Sequence, residues 1–148
     1  MTETIQQRLS RPFDPAELRR IKRLWVRHSI AEDRRDIDGL IATLSEDCVY
    51  EIVPTGQRWA GHAGARAFYT ELFRAFPDNA FALSEIVVGP QGVFEVATLT
   101  GTNQGPWAGA APTGLPVALE VLILFPWDPA TERFTGERIW FDRGALAS

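Results

Sequence analysis

The chain has 148 residues, 45% hydrophobic and 11% aromatic. One domain with a sizeable core is therefore expected, burying about two-thirds of the surface of the unfolded chain. A lone cysteine, Cys48, and two histidines, His28 and His62, exclude a disulfide framework and a Cys/His zinc cluster. A net charge of −4, with Lys22 the sole lysine, argues against nucleic acid as a partner.

The N-terminal stretch is polar, without the apolar segment of a signal peptide. The longest apolar run, Val117 to Phe125, is broken by Glu120 and too short to span a bilayer. A cytoplasmic protein that does not contact membranes is expected. Residues 1–12 read as a flexible tail and residues 13–148 as a single domain.

A helix is expected to begin at Asp14, with Pro15 at the first helical position and Glu17 completing a capping box. Phe13 and Leu18 have the spacing of a hydrophobic staple. Steps of three and four place Leu18, Ile21, Trp25, His28 and Glu32 on one stripe, so two ionisable side chains ride an apolar face. A second helix is expected over Asp36 to Leu44 and a short strand over Cys48 to Val53, stopped by Pro54-Thr55-Gly56. A third helix follows over Ala63 to Phe76. Strands are then expected at about Phe81 to Val88, Val93 to Asn103, Pro116 to Phe125 and Phe134 to Phe141. The order describes an α+β domain with helices on one face of a curved, mostly antiparallel sheet.

Several stretches carry a family likeness: Asp36-Ile37-Asp38-Gly39-Leu40, Leu44 to Tyr50, Trp59 to Ala65, Phe76-Pro77-Asp78, Thr98 to Asn103, Pro112-Thr113-Gly114 and Glu137 to Asp142. With them the chain resembles the nuclear transport factor 2-like superfamily and, within it, the SnoaL-like polyketide cyclases. That resemblance implies a cystatin-like α+β barrel, a cone-shaped curved antiparallel sheet with three helices enclosing a pocket, and a homodimer. The fold hosts isomerases, cyclases, epoxide hydrolases, dehydratases and binding modules.

The departures are specific. Asn103 stands where SnoaL-like chains commonly have histidine. The catalytic aspartate of ketosteroid isomerase falls on Ile52, its second oxyanion-hole acid near Ile123, and the aspartate of limonene epoxide hydrolase on Ile139. By the same resemblance His28 falls on the isomerase's oxyanion-hole tyrosine, and Tyr50 points into the pocket. Positions 95, 97 and 99, and 137, 139 and 141, then face inward.

His28 is the first catalytic candidate, since an imidazole exchanges protons near neutral pH. Glu137 is the first choice of strand carboxylate and Glu95 the second, because an acid in an apolar pocket is driven toward neutrality. Tyr50 is the fourth catalytic candidate. Glu32, one turn beyond His28, is read as its orienter or as an exposed helix-end acid. Trp59, Phe73, Asn103, Trp107 and Glu120 complete the expected substrate-binding set, although the strand parity turns Glu120 outward, toward a cross-strand pairing with Arg138.

No metal-ligand spacing and no glycine-rich phosphate cradle occurs in the sequence. With these candidate residues, the resemblance to the SnoaL-like family implies cofactor-independent acid–base chemistry on a small, largely apolar carbonyl or aromatic compound: aldol-type cyclisation, retro-aldol or dehydrating lyase chemistry, or isomerisation. A non-catalytic binding protein of the same fold and an epoxide hydrolase-like activity are the alternatives.

Overall fold

The computed structural model describes residues 3–146, so the ends of the expected tail and domain lie outside the described residues. Four helices, α1 (Ile5–Leu9), α2 (Pro15–Asp33), α3 (Ile37–Ile41) and α4 (Gly61–Ala75), accompany six strands. These are β1 (Leu44–Ile52), β2 (Gln57–Ala60), β3 (Ala80–Gly89), β4 (Gly92–Thr102), β5 (Pro116–Asp128) and β6 (Arg133–Trp140). Their order in the sheet is β2-β1-β6-β5-β4-β3. All neighbours run antiparallel except β1 and β6. The sheet curls without closing, because β2 and β3 remain its free edges.

Helix α2 forms where the sequence places it. Asp14 accepts a hydrogen bond from the Ala16 amide at 2.9 Å and Pro15 opens the first turn. The reciprocal capping-box bond from Glu17 is absent among the described contacts, and Phe13, at the staple position, is largely exposed. Ile21, Leu24, His28 and Ala31 make the buried face, while Trp25 and Glu32 flank it half-buried. The chain reverses at Arg35, which takes a positive φ of 54°. Its guanidinium donates to the carbonyls of Pro77 and Asn79, tying the end of α2 to the turn after α4.

Three expectations change in detail. The segment before Asp14 holds the short helix α1, closed by a Thr4–Gln7 capping box, and Arg11 donates to the carbonyls of Pro90 and Trp127. The second helix is only Ile37–Ile41, because Leu44 already pairs with Phe134 in the sheet. Strand β2, a polar four-residue edge that folds back on β1 after Gly56, has no hydrophobic signal of its own.

On β4 and β5 the buried side chains alternate strictly: Val93, Glu95, Ala97 and Leu99 on one, Val117 through Trp127 at odd positions on the other. Strand β6 breaks this rhythm. Its pairing with β5 slips by one residue between Phe134 and Arg138, a bulge that lets both Phe134 and Glu137 face inward although they are three residues apart. Gly136 occupies the bulge with φ of 113°, and a Cβ there would lie 1.9 Å from the Val49 carbonyl oxygen. Glycine at 136 is thus a condition for the orientation of Glu137.

Candidate functional site

Five side chains, from four elements and one turn, meet inside the curl. Helix α2 supplies His28, α4 supplies Tyr69, β1 supplies Tyr50 and β6 supplies Glu137, while Thr43 lies in the turn between α3 and β1. All are buried. The Thr43 hydroxyl donates its one hydrogen to the Leu40 carbonyl at 2.6 Å, so at 2.8 Å it accepts from Nδ1 of His28. That assigns the Nδ1 hydrogen and turns Nε2 toward Glu137 Oε2 at 3.2 Å and the Tyr69 hydroxyl at 3.1 Å.

Tyr69 donates to Glu137 Oε2 at 2.7 Å, so the Tyr50 hydroxyl, 2.6 Å from it, donates to Tyr69. One further proton belongs between Nε2 and Oε2: on nitrogen it makes an imidazolium–carboxylate pair, on oxygen a neutral one. The rings of Phe125 and Phe134 stand nearly perpendicular to the imidazole, with ring centroids 5.3 and 6.4 Å away.

This group stands where two chambers meet. The inner one is apolar, walled by Phe68, Leu72, Leu119, Val121 and Phe141 among others, with Glu137 in its wall. It gives about 30 Å³ to the centre of a water-sized molecule. The outer one gives about 70 Å³ on the same measure and is polar, with His28, Ser29 and Glu95 in its wall. Glu32 and Phe81 line both.

Burial sets the charge states. It raises Glu95 to about 8, the charge of Glu137 adding to the effect and a hydrogen bond from Trp25 opposing it. Burial and then the neighbouring Glu137, Glu95 and Asp33 also raise Glu32 well above the usual carboxylate range, against a lowering by Arg35. The Tyr50 and Tyr69 hydroxyls are pushed up by burial and by Glu137, and so remain donors. At neutral pH the site thus holds a protonated carboxyl at 95, with Glu32 shifted in the same direction, beside the His28–Glu137 pair.

A consequence for stability follows from linkage. Folded Glu95 keeps its proton up to about pH 8, whereas an unfolded glutamate releases it near 4.5. Between these values the folded state binds more protons, so stability falls as pH rises, by up to about 1.4 kcal/mol per pH unit from this group, and levels off above. Glu32 acts in the same direction. Glu95→Gln is expected to flatten this slope and to raise stability at pH 8, read by urea unfolding across the pH range.

His28, Glu137, Glu95 and Glu32 converge on the junction, and Trp107 lines the inner chamber. Tyr50 is buried behind Tyr69 and outside the cavity walls. Three expected lining residues lie elsewhere. Trp59 packs its ring on Phe68 from β2, Phe73 lies under Arg35 beside Tyr69, and Asn103 is enclosed at the end of β4, held by backbone bonds to Gly114 and Leu115. Glu120 is exposed on the outer face opposite Thr98, as alternation along β5 requires, and does not reach the cavity. Arg138 pairs instead with Glu51 at 3.3 Å, across the parallel β1–β6 register. The reading from sequence missed Tyr69 and Thr43. Tyr69 carried one available signal, a hydroxyl on the apolar face of α4.

The family model for SnoaL-like polyketide cyclases matches residues 18–148. Among solved structures, the chain is similar to a candidate SnoaL-like polyketide cyclase from Jannaschia sp. CCS1, with 21% identity, 94% of this chain and 99% of that one covered, and a TM-score of 0.76. It is similar to a candidate SnoaL-like polyketide cyclase from Shewanella denitrificans OS-217, with 16% identity, coverage of 90% and 96%, and a TM-score of 0.74. It is also similar to AclR, a candidate hydroxylase from Streptomyces galilaeus, with 22% identity, coverage of 87% and 93%, and a TM-score of 0.69. No curated protein matches the chain. At these identities the structural likeness concerns the fold. Among the described residues, no helix is long and apolar enough to cross a membrane.

Proposed function

Since this chain belongs to the SnoaL-like polyketide cyclase family, we propose that it is an acid–base enzyme moving a proton at the carbon beside a carbonyl group of a small, largely apolar or aromatic compound. Aldol-type cyclisation, retro-aldol cleavage, dehydration and isomerisation share that step. The observation that carries the reading is the buried His28–Glu137 pair, 3.2 Å apart, set in the wall between an apolar and a polar chamber.

Each group has a task its surroundings suit. The apolar body of the substrate fills the inner chamber, and Glu137, held by Tyr69 and His28, takes the carbon-bound proton. His28, anchored through Nδ1 by Thr43, stabilises the carboxylate before the transfer and can return a proton after it. The oxyanion that develops on the substrate is met by the protonated carboxyl of Glu32, which lines both chambers. Tyr50 supports Tyr69 and has no contact with the substrate. The small chambers restrict the substrate to a compact one. The enzyme is proposed to work as a homodimer, to which the half-buried outer side chains Leu122, Leu124 and Trp140 offer an apolar sheet face.

Incubation with a panel of small aryl and cyclic ketones in deuterium oxide tests the reading. Loss of the proton signal beside the carbonyl, followed by nuclear magnetic resonance, is expected to run well above the buffer rate for at least one ketone. Exchange at the buffer rate across the whole panel would overturn it.

A further inference from the structure

Glu95 is the buried titratable group that proton transfer at Glu137 leaves without a task. Its carboxyl lies in the wall of the outer chamber and is 8% exposed. That chamber gives about 70 Å³ to the centre of a water-sized molecule, more than twice the inner one, so it has room for a small polar group. Trp25 comes from α2, Phe81 and Leu83 from β3, Ala97 from β4 and Phe125 from β5.

The charges around Glu95 are unbalanced. Helix α2 presents His28, Glu32 and Asp33 to the same chamber, and Glu137 of β6 acts on Glu95 from the inner one. Among the described residues no lysine or arginine lines either chamber; Arg35 acts on Glu32 from outside them, and the basic side chain in the lining, His28, is already joined to Glu137. A carboxyl so enclosed either keeps its proton or meets a cation, and the described lining supplies none beyond His28. An anionic ligand group would face carboxyls on every side. An ammonium would find a carboxylate together with the aromatic rings that attract a desolvated cation.

We infer that the outer chamber seats a protonated amine of the substrate, with Glu95 as its counter-ion and Trp25 and Phe81 as its aromatic walls. The inference rests on the proton-transfer reading, because the amine is the polar end of the molecule whose apolar body fills the inner chamber. The substrate class narrows to compact, amine-bearing carbonyl compounds, and carboxylates and phosphates are rejected.

Calorimetric titration of the protein with tert-butylammonium and with tert-butanol, its neutral isostere, tests the seat. The ammonium is expected to bind at least about tenfold more tightly than the alcohol, and its affinity to rise about tenfold from about pH 7 to pH 9 as Glu95 gives up its proton. Glu95→Gln is expected to bring the ammonium down to the affinity of the alcohol. Trp25→Leu is expected to weaken the ammonium more than the alcohol. Equal affinity for the two probes, no binding of the ammonium, an affinity indifferent to pH, or wild-type affinity in both variants would overturn the inference. The titration reads no turnover: a failed seat leaves proton transfer standing, and absent exchange leaves the binding result intact.

Discussion

Replacing His28 by alanine is expected to lower deuterium exchange beside the carbonyl by at least about a hundredfold, the lower end of what one positioned acid–base group contributes. The imidazole is buried, its Nδ1 is fixed on Thr43 and its Nε2 faces Glu137 and Tyr69. Without it Glu137 loses the partner that orients its carboxyl and returns the proton after transfer. The fold is expected to survive, because Glu137 still accepts from Tyr69. His62→Ala is the control. That histidine lies at the start of α4, with Nε2 3.1 Å from the Leu44 carbonyl and outside both chambers, and its loss is expected to leave exchange unchanged. A His28→Ala protein exchanging at more than half the wild-type rate would remove His28 from the mechanism.

The largest loss of stability is expected from Glu137→Ala. The substitution strips a partner from the Tyr69 hydroxyl and from His28 Nε2 at once, and both side chains are buried. Breaking a buried, hydrogen-bonded pair by removing one member costs about 3–5 kcal/mol, and urea unfolding at neutral pH would measure it. Glu137→Gln, which keeps the size and one acceptor, is expected to lose less. Glu95→Gln should act in the opposite direction, because it replaces a carboxyl whose ionisation the chamber opposes. A neutral Glu137→Ala would show that the pair is not formed in solution.

Side chains whose positions follow from periodicity were legible in the sequence. The step of three and four along α2 brings His28 inward; the inward direction of Glu95 came from resemblance, and the alternation along β4 agrees with it. Glu137 is more instructive. Its inward direction came from resemblance, whereas the structure shows that it depends on a one-residue bulge at Gly136, a feature that alternation within a strand does not reveal. The same limit applies to Tyr69. Its place on the apolar face of α4 could be read, but the hydrogen bonds that make it the centre of the network come from β1, β6 and α2, all distant in sequence. Asn103, Trp59 and Phe73 failed for the opposite reason. Each is enclosed or partly enclosed, as an apolar neighbourhood suggests, yet burial against another element is not exposure to a cavity, and only the packing separates the two. Glu120 kept the direction its strand parity gave, which placed it outside.

The proposed chemistry depends on one proton held between His28 and Glu137 with Nδ1 already occupied, and nitrogen magnetic resonance of histidine-labelled protein reads this directly. With two histidines in the chain, His62→Ala assigns the signals. The expected result is that Nδ1 of His28 carries its hydrogen at every pH at which the protein is folded, and that Glu137→Gln shifts the Nε2 signal alone. An Nδ1 without hydrogen, or an Nε2 signal indifferent to the loss of the carboxylate, would contradict the pairing on which the proposed chemistry depends.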